Sequence, residues 1–216
     1  MSISAASVRD SYLLAAASAA TLLNQPAVAA AWSRPSALAK LTVGGLAVHL
    51  GRQVTRPVEV IEADPPAEAP VPLLEHYRRS AWVTAGIDDA SNVSIRDNSE
   101  ADAKDGAEAL RRRVEAALAT LRQRLSDEPA DRVVAPPWTN WPLSLNDFLA
   151  TRVLEIVIHS DDLAVSVGIP TPELPASVTD PVLQLLCQLA TERHGPTAVL
   201  RTLSRSERAP LTISAF

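Results

Sequence analysis

Apolar residues recur at helical spacing along most of the chain, and this pattern predicts a mainly α-helical protein. Thr42 and Ser144 each precede an apolar periodic segment, so both are expected to cap a helix at its N-terminus. Gly168 is expected to end the helix that follows Ser144, and Pro57 is expected to kink or shorten its own helix. The predicted helices span residues 5–24, 43–60, 73–84, 100–126 and 144–167.

The segments between these helices are polar or rich in proline, which predicts surface loops and extended chain. Residues 64–72 contain four prolines in a short stretch and are expected to form a loop, as is the polar stretch 88–99. Residues 133–142 contain three prolines and are expected to be extended. The predicted bundle therefore consists of helices joined by connections without regular structure.

After Gly168 the composition changes, and this change predicts a boundary between two parts of the chain. The elements expected beyond it are a linker over 169–181, a short helix ending near residue 193, another over 196–204, and a candidate strand over 211–215. We therefore predict a helical bundle over residues 1–168, followed by a small C-terminal appendage of helices and one strand over residues 169–216.

Composition and charge narrow the functional classes. The chain has 47% hydrophobic and 21% charged residues, as expected of a globular protein, and its net charge of -5 predicts no nucleic-acid partner. The single cysteine, Cys187, lies in an apolar run and is expected to be a small buried side chain. The apolar run 13–23 follows Arg9 and is too short to span a bilayer. We therefore expect an amphipathic first helix, no membrane partner and a cytoplasmic location.

One polar stripe crosses the otherwise apolar helix 144–167 and carries the best candidate chemistry. Its members, at helical spacing, are Arg152, Glu155, His159 and Asp162. A buried carboxylate or imidazole is costly unless it pairs with another group or binds a metal ion. Glu155 and His159 are four residues apart, a spacing by which one helix offers two ligands to one cation. The alternative is a buried ion pair of Glu155 with His159 or Arg152 and no metal.

A third ligand is expected from another helix, and His49 is the best of the remaining histidines. It lies inside the apolar run 46–50, whereas His76 is flanked by charged residues and is expected to be exposed. His194 is expected at a helix end. Two histidines and one glutamate would leave coordination positions open for water or substrate, as in catalytic rather than structural metal sites.

The two histidine-bearing segments carry motifs with a recognisable spacing. The first lies within Trp32–Val54 and contains Leu41-Thr42-Val43-Gly44-Gly45-Leu46-Ala47-Val48-His49-Leu50. The second, from Arg152 to Leu163, reads Arg-x-x-Glu-x-x-x-His-x-x-Asp-Leu. These motifs, and the tail Gly195–Phe216 with Leu203-Ser204-Arg205, resemble those of the DinB-like superfamily and, within it, the mycothiol-dependent maleylpyruvate isomerase family. The resemblance covers nearly the whole chain and implies an up-down four-helix bundle.

The resemblance also implies a chemistry. It implies a divalent metal ion, often zinc, held by His49, Glu155 and His159, and mycothiol bound near the metal as a thiol cofactor. In the isomerase the thiol adds to a conjugated cis double bond, the adduct rotates, and elimination gives the trans product. Relatives transfer such thiols to electrophiles. The C-terminal appendage is short beside that of the full isomerase, which leaves the substrate undetermined.

Four further positions follow from the resemblance and the expected substrate charge. Asp162 matches a recurrent aspartate of the family and is expected to accept a hydrogen bond from a ligand imidazole. An anionic substrate would need arginines, because the guanidinium fork matches a carboxylate. The candidate catalytic residues are therefore Arg52, with Arg56 extending its stripe, and Arg152. Arg205 matches an arginine that the isomerase places over its site. The residues that bind the thiol stay undetermined.

The sequence therefore predicts a metal-dependent enzyme with a thiol cofactor, either a cis-trans isomerase or a thiol S-transferase that acts on a small, anionic electrophile. One alternative is a non-catalytic bundle that binds a metal ion or a small ligand, and another is a metal-assisted hydrolase. The expected partners are a small-molecule substrate and a low-molecular-weight thiol. The chain is expected to be a monomer or a homodimer.

Overall fold

The computed structural model describes residues 5–216 and shows a mainly helical molecule. Its helices are α1 (Ala5–Leu23), α2 (Pro26–Ala30), α3 (Val43–Glu62), α4 (Leu73–Arg79), α5 (Ala90–Ala103), α6 (Ala107–Arg124), α7 (Leu145–Val167), α8 (Ala176–His194) and α9 (Pro196–Ser204). Two short 3-10 turns lie at Ala81–Val83 and Ser206–Arg208. Strands β1 (Val133–Val134) and β2 (Leu143–Ser144) pair antiparallel, with Val133 opposite Ser144. The two strands flank residues 135–142, which belong to the stretch that was expected to be extended.

Four long helices, α1, α3, α6 and α7, pack against one another around a shared apolar core. Each has apolar residues at spacings of three and four, so one side of the helix faces inward. The fully buried aliphatic side chains include Leu46, Leu50, Leu121, Leu149 and Ile156. The prediction of a mainly α-helical bundle is therefore confirmed. Within the described residues, no helix is long and apolar enough to cross a membrane.

The ends of the two site-bearing helices are fixed by the residues that the sequence indicated. The hydroxyl of Thr42 accepts a hydrogen bond from the backbone N–H of Gly45 at 3.0 Å, at the start of α3. The hydroxyl of Ser144 accepts one from the N–H of Asp147 at 3.0 Å, at the start of α7. Gly168 ends α7 with φ of 72°, a left-handed conformation that a glycine adopts without steric cost.

Pro57 does not end α3, which continues to Glu62. A proline inside a helix has no N–H for the carbonyl four residues earlier, and here that carbonyl belongs to Gln53. The hydroxyl of Tyr12 on α1 donates to the Gln53 carbonyl at 3.1 Å and so replaces the missing partner. The expectation that Pro57 would shorten the helix is wrong, because a tertiary hydrogen bond compensates for it.

The stretch 88–126 differs most from its prediction. Residues 88–99 are not a loop, because α5 starts at Ala90, and the single helix expected over 100–126 is divided between α5 and α6 at Gly106, where φ is 85°. α5 packs on α3 with few apolar side chains, and of its residues only Ser99 and Ala103 are buried. Apolar periodicity could not reveal a helix that is held largely by polar contacts.

The C-terminal appendage packs on the bundle through α8, which contacts α1 and α7, while α9 contacts α8. Residues 211–215 form no strand in the described part of the chain, and the candidate strand is wrong because no neighbouring edge pairs with it. Cys187 is exposed rather than buried. The side of α8 that faces inward carries Val182, Leu185 and Leu189, and Cys187 lies on the opposite side. The boundary at residue 168 stays a prediction.

Candidate metal centre

Three side chains from two helices converge at one point between α3 and α7. Nε2 of His49 lies 3.4 Å from Oε2 of Glu155, and Nε2 of His159 lies 3.2 Å from the same oxygen. The two imidazole rings meet edge to face, with centroids 4.6 Å apart. One ligand atom from each of the three residues lies within 4.8 Å of the others. The fold thus assembles the cluster that the sequence indicated, and these residues could hold a metal ion.

The packing of α3 on α7 places the cluster. Glu155 and His159 project from successive turns of α7, and His49 projects from α3 beside the buried Val48 and Leu50. The three side chains of the cluster are between 14% and 18% exposed. They are therefore shielded enough for strong charge interactions and are not fully closed off from solvent.

Neighbouring polar groups hold the imidazoles in place. Oδ2 of Asp162 lies 2.9 Å from Nδ1 of His159, which leaves Nε2 of that ring directed at Glu155. An imidazole held by a carboxylate at its far nitrogen is the usual support of a histidine metal ligand. On the other helix, the amide of Gln53 donates to the carbonyl of His49 at 2.7 Å. The position expected for Asp162 is the one that the structure shows.

Contacts within the cluster set its charge. Burial lowers the pKa of His49, and the opposing contact with Glu155 does not outweigh it. Burial would also lower the pKa of His159, but Asp162 and Glu155 raise it to about 9. Burial would raise the pKa of Glu155, yet its contacts with both imidazoles hold it well below the usual value. At neutral pH the carboxylate is therefore ionised, His49 is neutral and His159 carries a proton.

The family model of the mycothiol maleylpyruvate isomerase N-terminal domain matches residues 13–164, more than half of the chain. The chain belongs to this family. The resemblance seen in the sequence is thereby confirmed, and the family supports a mycothiol-associated, maleylpyruvate isomerase-like function. A search of the curated proteins found no match, and neither did a search of the solved structures. The matched region contains the whole His49–Glu155–His159 cluster, whereas Arg205 and the appendage lie outside it.

Two arginines of this family member lie beside the cluster without a carboxylate partner. Arg152 is only 8% exposed and donates to Oε1 of Gln53 at 2.6 Å and to the hydroxyl of Thr151 at 3.1 Å. The guanidinium of Arg56 lies 4.4 Å above the ring of Trp138, which Arg152 also approaches at 6.0 Å. Within the part of the chain that the structure describes, no carboxylate lies at ion-pair distance from either arginine.

Burial and the neighbouring positive charges both affect the pKa of Arg56. Burial lowers its pKa to about 10, and the charges of Arg52 and Arg152 contribute to the same direction. Arg56 nevertheless stays protonated at neutral pH, because a guanidinium is strongly basic. The charges of Glu59 and Glu155 act on Arg56 in the opposite direction, but among the described residues neither carboxylate forms an ion pair with it.

The other two candidate arginines make different contacts. Arg52 donates to Oδ2 of Asp102 at 2.6 Å and to the hydroxyl of Ser99 at 3.2 Å, so it holds α5 on α3. Arg205 is exposed at the end of α9 and donates to the carbonyl of its neighbour Ser204. Neither guanidinium contacts the cluster among the described residues. Their catalytic roles stay predictions.

A groove of about 620 Å³ lies between α3 and α6, on the side of α3 that carries Arg52 and Arg56. Its wall also includes Val48, next to His49, but none of the three cluster residues. The groove therefore lies along the same helix as His49 but does not contain the cluster.

His76 and Tyr77 on α4 are buried polar side chains that the sequence did not reveal. His76 was expected to be exposed but is 5% exposed, because the indole of Trp141 covers it and donates to its Nδ1 at 3.1 Å. The charged neighbours that suggested exposure, Arg78 and Arg79, project outward to Glu75 and other surface carboxylates. His76 is buried because Trp141 covers it, and the sequence does not show that these two residues, far apart in the chain, come into contact.

Proposed function

We propose that this chain is a zinc-dependent enzyme that uses mycothiol to act on a small carboxylate-bearing electrophile, as an isomerase or an S-transferase. The observation that carries the proposal is the cluster of His49, Glu155 and His159 inside the region matched by the isomerase family. The family gives the thiol and the class of reaction, and the cluster gives a place where a metal would act.

The donor set fits a zinc ion. Tetrahedral zinc with ligand bonds of about 2.0–2.1 Å separates its ligand atoms by roughly 3.4 Å. The Nε2 atoms of His49 and His159 lie 3.4 Å and 3.2 Å from the Glu155 oxygen, so a zinc ion needs little rearrangement of these side chains. A zinc ion held by these three residues would have room for a further ligand and would stabilise a thiol there in its nucleophilic thiolate form at neutral pH.

The chain's own residues perform the remaining work. Asp162 holds the His159 ring and keeps one proton on Nδ1, so the proton that would leave when a cation binds is the one on Nε2. Arg56 and Arg152 attract the carboxylate of the substrate, since neither has a carboxylate partner within the described residues. Trp138, stacked under both guanidinium groups, limits their movement. A substrate bound by these arginines would thereby be kept near the cluster residues that would hold the metal ion.

Elemental analysis tests the metal centre. The native protein should contain near-stoichiometric zinc after incubation with the metal, and His49→Ala should lower zinc affinity by about 10-fold or more while the helical circular dichroism is unchanged. His194→Ala is the matched control, because its Nε2 contacts the carbonyl of Ser214 in the appendage. Native protein that takes up no zinc would reduce the cluster to an ion-pair network and remove the basis of the proposal.

Thiol dependence tests the reaction class. Zinc-loaded protein should convert a cis-alkenoic acid conjugated to a carbonyl only when mycothiol is present, giving the trans isomer or a thioether. Turnover without thiol would favour the metal-assisted hydrolase. Full zinc occupancy with no turnover of any thiol and electrophile pair would favour the non-catalytic bundle. Arg205→Ala tests the remaining predicted residue, and unchanged kinetics would remove Arg205 from the site.

A further inference from the structure

Two adjacent ring side chains on α4 are buried where this helix packs on α7, and the proposed function does not use them. His76 is 5% exposed and Tyr77 is 2% exposed. Their rings meet nearly at right angles, with centroids 5.1 Å apart. A short helix of seven residues that buries two polar rings needs a physical reason, because both rings carry groups that lose water on burial.

Trp141 fixes the protonation of His76. The indole Nε1–H can only donate, so the His76 Nδ1 atom at 3.1 Å must accept. A neutral imidazole that accepts at Nδ1 carries its proton on Nε2, which makes that atom a hydrogen-bond donor. Burial lowers the pKa of His76 to about 4, and Arg152 contributes to the lowering, so the ring stays neutral at physiological pH.

The hydroxyl of Tyr77 is a donor without an acceptor. It is fully buried, and no residue in the range 8–216 makes a hydrogen bond with it. Tyr12, the other buried tyrosine, donates to the Gln53 carbonyl at 3.1 Å. Buried polar groups are nearly always paired, so the Tyr77 hydroxyl is free to donate to a partner that is not part of the chain.

Both rings lie within the electrostatic influence of the metal centre. The charge of Glu155 raises the pKa of His76 against the effect of burial, and it adds to the effect of burial in raising the pKa of Tyr77. Arg152 acts on both groups in the opposite direction. α4 packs on α7, the helix that carries both Glu155 and Arg152, so the two rings lie beside that helix.

We propose that the Nε2–H of His76 and the hydroxyl of Tyr77 form a pair of neutral donors that binds a carbonyl or carboxylate oxygen of the ligand at the metal centre. The inference rests on the proposed function and extends it to ligand specificity. With Arg56 and Arg152 binding one carboxylate, the donor pair selects ligands that carry a second oxygen-bearing group. Neutral donors suit this role, because they stabilise an oxygen without adding to the positive charge.

Thermal unfolding of the ligand-free protein separates this role from a structural one. Tyr77→Phe removes an unpaired hydroxyl, so its melting temperature should equal or exceed that of the native protein. Tyr12→Phe is the matched control and should melt at a lower temperature, since it removes a hydroxyl with a partner. A lower melting temperature for Tyr77→Phe, comparable to that of Tyr12→Phe, would show that its hydroxyl is already paired and would overturn the proposal.

Two probe ligands test the specificity. Maleate has two carboxylates on a cis double bond, and isocrotonate has a methyl group in place of one of them. Calorimetric titration of zinc-loaded protein should show tighter binding of maleate by the native chain. Tyr77→Phe should weaken maleate binding about 10-fold and leave isocrotonate binding unchanged. Equal losses for both ligands, unchanged maleate affinity, or no preference for maleate in the native protein would each overturn the proposal.

His76 gives a second, independent variant pair. His76→Gln keeps an N–H donor near the position of Nε2 and should retain most of the maleate affinity, whereas His76→Leu should lose about 10-fold. Equal affinities in the two variants would overturn the role of His76. Zinc content distinguishes the levels of failure: a native protein without zinc contradicts the proposed function, whereas zinc-loaded variants with native maleate affinity contradict the donor pair alone.

Discussion

At the scale of single residues, the side chains around the cluster differ in whether the fold satisfies them. Arg52 donates to Asp102 and Ser99 on α5, whereas Arg56 lies over the ring of Trp138 and has no ion-pair partner among the described residues. A partly buried cation without a counter-charge is costly, and a ligand carboxylate would remove that cost. We therefore expect Arg56, and not Arg52, to contact a ligand.

We expect Arg56→Gln and Arg152→Gln each to weaken maleate binding by about 10- to 100-fold, because each removes a charge-assisted hydrogen bond. Zinc content should not change, since neither side chain is a cluster ligand. Calorimetric titration of the zinc-loaded variants gives the affinities. Arg52→Gln provides the comparison: we expect it mainly to lower stability by loosening α5. If Arg52→Gln weakens maleate binding as strongly, the carboxylate site includes Arg52, as the sequence suggested.

The burial of His76 should make stability depend on pH. Its folded pKa, about 4, lies below the usual value of 6.5, so the unfolded chain binds more protons between these values. The stabilising contribution is complete above pH 6.5 and is lost as the pH falls through this window, up to about 3 kcal/mol. Urea unfolding of the native protein and His76→Gln from pH 7 to pH 4 measures it. Parallel curves for the two proteins would contradict the assignment.

At the scale of elements, α3 depends on a contact from another helix. Its internal proline leaves the Gln53 carbonyl without a helical partner, and Tyr12 of α1 supplies the hydrogen bond. Gln53 in turn donates to the carbonyl of His49 and accepts from Arg152. Tyr12 therefore supports the segment of α3 that carries His49 and also Arg56, which we propose to bind the substrate carboxylate.

A double-mutant cycle tests this compensation. Tyr12→Phe should destabilise the native chain by about 1–3 kcal/mol, because the Gln53 carbonyl is then buried without a donor. In the Pro57→Ala background the same change should cost clearly less, since the new N–H of residue 57 can bond to that carbonyl. Denaturant unfolding of the four proteins gives the coupling. An equal cost of Tyr12→Phe in both backgrounds would show that the hydroxyl does not replace the helical bond.

At the scale of the whole molecule, the appendage stabilises α4 from the outside. The ring of Phe216 at the C-terminus packs against Trp82 at 5.0 Å and Tyr77 at 6.2 Å between centroids. Arg78 on α4 also forms an ion pair with Glu192 on α8. The short C-terminal segment thus contacts the helix that carries the proposed donor pair, although no residue of the segment is part of the cluster.

We expect Phe216→Ala to lower stability by about 1–3 kcal/mol, because it removes an aromatic cluster contact. Amide hydrogen exchange should become faster in α4 than in α7, as the lost contact is local to α4. Leu211→Ala is the matched control, since that side chain is fully exposed in the same tail and should leave both quantities unchanged. Uniform acceleration of exchange throughout the molecule would show that Phe216 supports the bundle and not α4 in particular.

Local patterns in the sequence were sufficient for the features that depend on neighbouring residues. The capped starts of α3 and α7, the end of α7 at Gly168, and the placement of Glu155 and His159 on one side of a helix follow from spacing alone. The apolar run around His49 was sufficient to choose it as the third member of the cluster. Each of these features depends on residues that lie within one or two helical turns of one another.

Only the tertiary structure decided which polar groups are paired. α5 has little apolar periodicity and is held by contacts with α3, Pro57 is compensated by Tyr12, and His76 is buried under Trp141 from a distant loop. Each outcome depends on a partner far away in sequence, which local propensity does not encode. The sequence by itself therefore determined the long helices α1, α3 and α7 and the residues of the cluster, whereas the fold decided which charges and donors around the cluster are paired within the chain.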